Sequence, residues 1–384
     1  MSNQIRRREG GFSLLEMTIA LGLGTVVLGA AVQIYTQGLS ATWVATQRAE
    51  LQQDFRAASD ILTADLSLSG AGLGNGAAIQ LPTSSTIPVY GCDQSGTCYI
   101  NGTSVKYPTQ AGTPYLYGLL PGYNLGPTMN GQATDAITVV YTDPNFFLDC
   151  YTASVASATS VTFAGPAPTS SNCTANGETI QAINDPAEGL TVGDLVLFNF
   201  GGTPVVAEVY GSAPTSTTVT FATSDPLSMN QSSSATGSLA SMYVASPPAA
   251  SLTTGYGVRL LVITYYIDTT VSPARLMRQV SGHSPMPIAE SVAYMKFTFD
   301  LFNTATNAFA TQCPNPGASG DVCNSGSDSG LLPNQITKIN IQNMAMDSTL
   351  KSALYGLSKG DQSIDLETSV SARNLTYVNN FNNQ

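Results

Sequence analysis

Charge is scarce in this chain: Asp, Glu, Lys and Arg make up 10% of its 384 residues, against a usual share of about 25%. Histidine occurs once, as His283, and there is neither a C-x-x-C pair nor a C-x-x-C-H run. A usual zinc ligand set and a c-type haem attachment site are therefore both missing. Basic residues cluster only at Arg6, Arg7 and Arg8, and the formal charge is −11. A surface of that sign repels phosphates, so nucleic-acid binding has no electrostatic support. Ser, Thr, Asn, Gly and Ala are abundant instead, giving the hydroxyl and amide surface common in secreted bacterial proteins. The 43% hydrophobic content over this length suffices for one large or two moderate domains and excludes global disorder.

The six cysteines, Cys92, Cys98, Cys150, Cys173, Cys313 and Cys323, all follow the N-terminal apolar run. An even number in Gly-, Ser- and Asn-rich settings reads as disulfides formed in an oxidising compartment. Nearest-neighbour pairing is expected, although six cysteines allow 15 connectivities.

The N-terminal stretch EGGFSLLEMTIALGLG places Glu16 at the head of an apolar run. A carboxylate inside a bilayer costs roughly 2.5–3.5 kcal/mol on insertion scales, so one found there is a functional candidate. A secretory signal accounts for the arginines and the apolar run, with a cut near Ala30-Ala31, and leaves Glu16 unexplained. A plain anchor needs about 20 apolar residues, and Met17 to Thr36 supply that length without a charge. The preceding arginines would keep the N-terminus cytoplasmic and place the body outside. Glu16 again has no use.

A third reading gives it one. Gly11-Phe12-Ser13-Leu14-Leu15-Glu16, with basic residues upstream and an apolar run downstream, resembles the type IV prepilin motif at every position. The resemblance implies that prepilin peptidase cuts after Gly11 and methylates the new amino group of Phe12. Glycine suits the cut because no side chain hinders approach to the backbone. It further implies that Glu16 pairs with the N-terminal amine of a neighbouring subunit. Opposite charges in a low dielectric offset each other's desolvation, so such a pair would set register during assembly.

Past the apolar run, Leu51, Phe55, Ala58, Leu62 and Leu66 recur at helical spacing, predicting one helix over about residues 13–69. At 1.5 Å per residue it would span roughly 85 Å. Gly22, Gly24, Gly29 and Gly38 weaken its first half, which could unwind locally on leaving lipid for a filament core. The glycines of residues 69–76 read as a helix stop, since a dinucleotide fingerprint must follow a strand and open a helix. Strands are expected at 136–142, 160–164, 195–200, 205–210, 217–222, 239–245, 256–268, 276–280, 292–302, 336–346 and 364–375. The expected fold is α+β and type IV pilin-like, a long N-terminal helix packed on an antiparallel sheet with an additional β-rich insertion.

Residues 190–198 (LTVGDLVLF) with 204–210 (PVVAEVY) resemble the central module of PilW-type minor pilins. Residues 367–375 (ETSVSARNL) resemble the closing strand of that family and of J-type minor pseudopilins. The implied organisation is a leader 1–11, a membrane and filament-core half-helix 12–36, and an amphipathic half-helix 37–70. A Gly/Pro/Tyr-rich loop region 71–134, a β-rich middle module 135–250 and a C-terminal sheet region 251–384 follow. The implied function is that of a non-enzymatic minor pilin at or near the pilus tip, needing no cofactor. Its partners would be other pilins, prepilin peptidase and the inner membrane. The alternatives are a J-type pseudopilin of type II secretion and a tip adhesin using the Tyr-rich stretch 107–123. Residues 321–330 offer oxygen ligands to calcium, although turn formation explains the same Asp, Asn, Ser and Gly residues. His283 reads as a loop histidine rather than a catalytic one.

Overall fold

The structure is a computed structural model and describes residues 11–74, 78–84, 86–165, 173, 180–243, 254–303, 307–316, 323, 331–348 and 362–375. The chain divides into two units, Met1–Gln53 with Ser348–Gln362, and Asp54–Asp347 with Ser363–Gln384.

The first unit is built on the helix Leu14–Ser67, which enters the second unit at Asp54. From Leu14 to Val32 the large apolar side chains of this helix are exposed. Gly22, Gly24, Gly29 and Gly38 all lie within continuous helix. Thr18, Thr25 and Thr36 donate their hydroxyls to the carbonyls of Leu15, Gly22 and Gln33, at 2.9, 2.8 and 3.0 Å. Those bonds satisfy groups that hydrocarbon would leave unpaired at a cost.

In the second unit Phe55, Ala58, Leu62 and Leu66 are buried, as their spacing predicts. Asp65, on the same part of the helix, accepts hydrogen bonds from the Tyr141 hydroxyl at 2.9 Å and from Arg278 Nε at 2.8 Å. The helix ends at Ser67 and the chain turns away at Gly70, whose φ of +78° is a conformation that only glycine adopts freely.

A ten-stranded sheet is organised by the strand Thr254–Asp268. Its first half pairs with Leu195–Phe200, and its second half with Ala136–Thr142 and Arg275–Val280, all antiparallel. Leu260, Val262, Ile263, Tyr265, Tyr266 and Ile267 are all buried, as in a central strand covered on both faces. The adjoining hairpin, Leu195–Phe200 with Thr203–Glu208, separates two cores. Leu195, Leu197 and Val206 enter one, with Tyr90, Tyr107 and Tyr117. Val196, Phe198, Phe200, Val205 and Ala207 enter the other, with Phe163 and Phe221. Alternation with both faces apolar explains the run LVLF. A separate four-stranded sheet has the order Ala308–Cys313, Val292–Asn303, Ile336–Ser348, Gln362–Ser371. A long helix followed by antiparallel sheets agrees with an α+β pilin-like layout.

Three local expectations are corrected. Leu239–Met242 forms a 3-10 helix, capped by the Ser238 side chain, rather than a strand. The last strand ends at Ser371, and Arg373–Leu375 are helical. The stretch read as loop before residue 135 carries short strands, among them Ala78–Gln80, Thr113–Tyr117 and Leu119–Gly122. Tyr107 and Tyr117 within it are each 1% exposed. These two rings are core, whereas Tyr115 and Tyr123 of the same stretch are half-buried. The structure joins Cys92 to Cys98, Cys150 to Cys173 and Cys313 to Cys323.

Candidate processing and assembly site

Helix formation begins immediately after Ser13, and two reciprocal hydrogen bonds fix where it begins. The Glu16 N–H donates to Ser13 Oγ at 3.1 Å, and the Ser13 N–H donates to Glu16 Oε2 at 3.1 Å. This is a capping box, in which two otherwise orphaned donors of the first turn are satisfied by each other's side chains. The acid also lies at the positive end of the helix dipole. Glu16 therefore has a role inside its own chain, which the S-x-x-E spelling of residues 13–16 signals and which the charge argument alone overlooks.

Upstream, Phe12 is 88% exposed, and nothing lies within 4 Å of where a Cβ on Gly11 would sit. The backbone between Gly11 and Phe12 is thus open to an approaching enzyme. Downstream stands the only helix, among the described residues, long and apolar enough to cross a membrane. An accessible peptide bond, a capped first turn carrying one carboxylate and an exposed apolar helix follow one another within a few residues.

Residues 6–32 match the prokaryotic N-terminal methylation motif. The match supports a type IV pilin or pseudopilin, and with it processing by prepilin peptidase, assembly with other pilins and membrane anchoring. No curated protein and no solved structure matches the chain.

Other polar clusters serve the body of the protein. His283 Nε2 lies 2.8 Å from Asp194 Oδ1, and next to it the backbones of Gly193 and Gly282 approach too closely to admit a Cβ. The pair fastens two loops together, so the lone histidine is a tether in this structure. Arg259 forms an ion pair with Asp143 and lies 4.6 Å from the centre of the Phe146 ring. Glu208 is fully buried, and burial first, then the neighbouring Asp225, raises its pKa to about 9. Asp225 is raised for the same leading reason. Their surroundings supply N–H donors, since the amides of Met229 and Asn230 donate to Asp225 and that of Leu227 to Glu208. That environment suits two acids sharing a proton.

Among the described residues no group of three or more His, Cys, Asp and Glu is placed to hold a metal ion. The calcium candidate at 321–330 lies outside the described residues, Cys323 excepted. So does Gly356-Leu357-Ser358-Lys359-Gly360, which spells G-x-S-x-G; the motif needs a strand–turn–helix setting to act as a nucleophile elbow.

Proposed function

We propose that this chain is a minor pilin of the PilW kind, stored in the inner membrane and incorporated at or near the pilus tip to initiate or support assembly. In this reading residues 1–11 are the leader, Gly11 precedes the cut and Phe12 becomes the N-methylated first residue. Residues 12–36 serve as membrane span and then filament core, with the N-terminus cytoplasmic and the body periplasmic. The observation that carries the reading is the placement of an accessible Gly11–Phe12 bond and Glu16 directly before an exposed apolar helix. The assignment to PilW-type proteins is supported by the central stretches 190–198 and 204–210. A body of this size suits a tip better than a repeating shaft.

Glu16 is proposed to change partners during assembly. In the single chain it accepts from Ser13, and cleavage creates a positive amine on Phe12 that a neighbouring subunit's glutamate can reach. Exchanging an amide donor for an ammonium strengthens the interaction, because charge-assisted bonds in a low dielectric are the stronger kind.

The deciding measurement is mass spectrometry of the mature N-terminus. The expected chain begins with methylated Phe12 and requires prepilin peptidase, whereas a chain starting at Met1 or near Ala31 would sink the proposal. The second reading is a J-type minor pseudopilin, whose closing strand residues 367–375 resemble as much as that of PilW-type proteins. Neighbouring genes separate the two: pilus minor pilin genes support the first and type II secretion genes the second.

A further inference from the structure

The polar face of the four-stranded sheet forms a cleft of about 700 Å³, within the size range of small-ligand sites, roughly 300–1,000 Å³. Its opposite face supplies Met295, Phe297 and Ile339 to the interior. A solvated sheet face needs no cleft.

Two lining residues depart from regular strand geometry. Gln342 is the extra residue of a bulge, since Lys296 is opposite Asn343 and Phe297 opposite Ile341. Bulges re-aim side chains and concentrate beside functional sites. Gln312 has φ +53° in the strand Ala308–Cys313, a conformation for which glycine is the default and any other residue is strained. Retaining glutamine at that position keeps a carboxamide on the cleft at the expense of backbone comfort. Asp300 holds this corner, accepting the Gln312 N–H at 3.0 Å and Asn340 Nδ2 at 3.1 Å. Tyr294 is fixed likewise, its hydroxyl donating to Gln132 Oε1 at 2.8 Å.

The chemistry of the lining narrows the ligand. Carboxamides present a donor and an acceptor side by side, matching adjacent hydroxyls of a polyol. A pinned aromatic ring offers a face to the C–H side of a sugar. Lys296, the only cation among the described lining residues, is paired with Asp135 at 2.7 Å, and Glu367 adds an exposed negative charge. Phosphates and other anions are thereby disfavoured.

We propose that this cleft binds a neutral oligosaccharide, with Gln312, Asn340 and Gln342 as hydrogen-bonding groups and Tyr294 as the stacking ring. The inference goes beyond the assembly reading and does not rest on it, because it uses only the body of the protein.

The test uses the full chain in a zwitterionic detergent that carries no sugar headgroup, with lactose, maltotriose and N,N′-diacetylchitobiose as probes in calorimetry and saturation-transfer NMR. Saturable binding of at least one probe is expected, reduced at least tenfold by Gln342→Ala and by Tyr294→Ala and unchanged by Ser232→Ala. Gln312→Gly should raise the unfolding midpoint while weakening the same binding, an opposition that a purely structural role for Gln312 would not produce. Absence of binding by all three probes, binding that survives Gln342→Ala and Gln312→Gly, or binding of extended peptides in place of the sugars would overturn the proposal.

Discussion

Arg278 Nε lies 2.8 Å from Asp65 Oδ2, joining a strand of the large sheet to the last turns of the N-terminal helix across 213 residues of sequence. The Tyr141 and Tyr265 hydroxyls complete the carboxylate's partners. Asp65→Ala would leave the Tyr141 hydroxyl without this partner and the half-buried Arg278 Nε with only the Tyr265 hydroxyl, at 3.2 Å, at about 2–3 kcal/mol. In urea unfolding, Asp65→Ala and Arg278→Met should each destabilise, and the double variant should lose less than the sum of the two. Additive losses would show that the two side chains act independently.

The buried acids give stability a pH dependence of defined sign. Glu208 has its folded pKa raised from 4.5 to about 9 by burial, then by Asp225. Below pH 4.5 both folded and unfolded states keep the proton and no stability is lost. As pH rises, the unfolded chain ionises first, and stability falls progressively up to about pH 9. Glu208→Gln should flatten that slope between pH 5 and 9 in thermal melts. An unchanged slope would place the titration elsewhere.

Substitutions at Glu16 separate its two proposed roles. Gln keeps an oxygen that can accept from the Ser13 N–H, and Ala does not. Glu16→Gln should therefore preserve the capped first turn yet fail to enter filaments, as read by immunoblots of sheared pili. Ser13→Ala should retain the charge and cost about 1 kcal/mol of local helix stability, seen as faster amide exchange over the first turn. Filament entry by Glu16→Gln equal to wild type would remove the case for charge pairing.

Gly118 packs where the helix terminates. A Cβ there would sit 2.6 Å from the Gly70 Cα and 2.7 Å from Leu375 Cδ2. Backbone on one side leaves little room to relax, so Gly118→Ala should cost about 1–3 kcal/mol. Gly131→Ala is the contrasting control, a turn glycine with open space around it and a φ of +81°, where only the smaller backbone penalty applies.

Periodicity made the long elements legible. The strands Ala136–Thr142, Ser160–Ala164 and Leu195–Phe200 match their expected bounds, because their runs of β-branched and aromatic residues are bounded by Asp, Thr or Gly. The buried helical stripe from Phe55 to Leu66 is read from the same kind of signal. Elements of two to five residues have no period to detect, and Tyr107 and Tyr117 carry hydroxyls that suit display as well as burial. Leu239–Met242 has strand-like residues, but the Ser238 cap closes a helical turn instead. At the N-terminus, neighbours in sequence are neighbours in space, so Gly11, Phe12 and Glu16 could be named together from the letters. The partners of Asp65 and the lining of the polar cleft come from distant strands, and no local pattern announces them.

The strand Thr254–Asp268 is the one member common to both halves of the large sheet. Mechanically it is a keystone: a force peeling either half must shear the same fifteen-residue ribbon against its neighbours. Its amides should be the last in the sheet to exchange, and a proline placed there should cost both halves at once. A sheet joined in this way would transmit a pull through one strand to both of its halves.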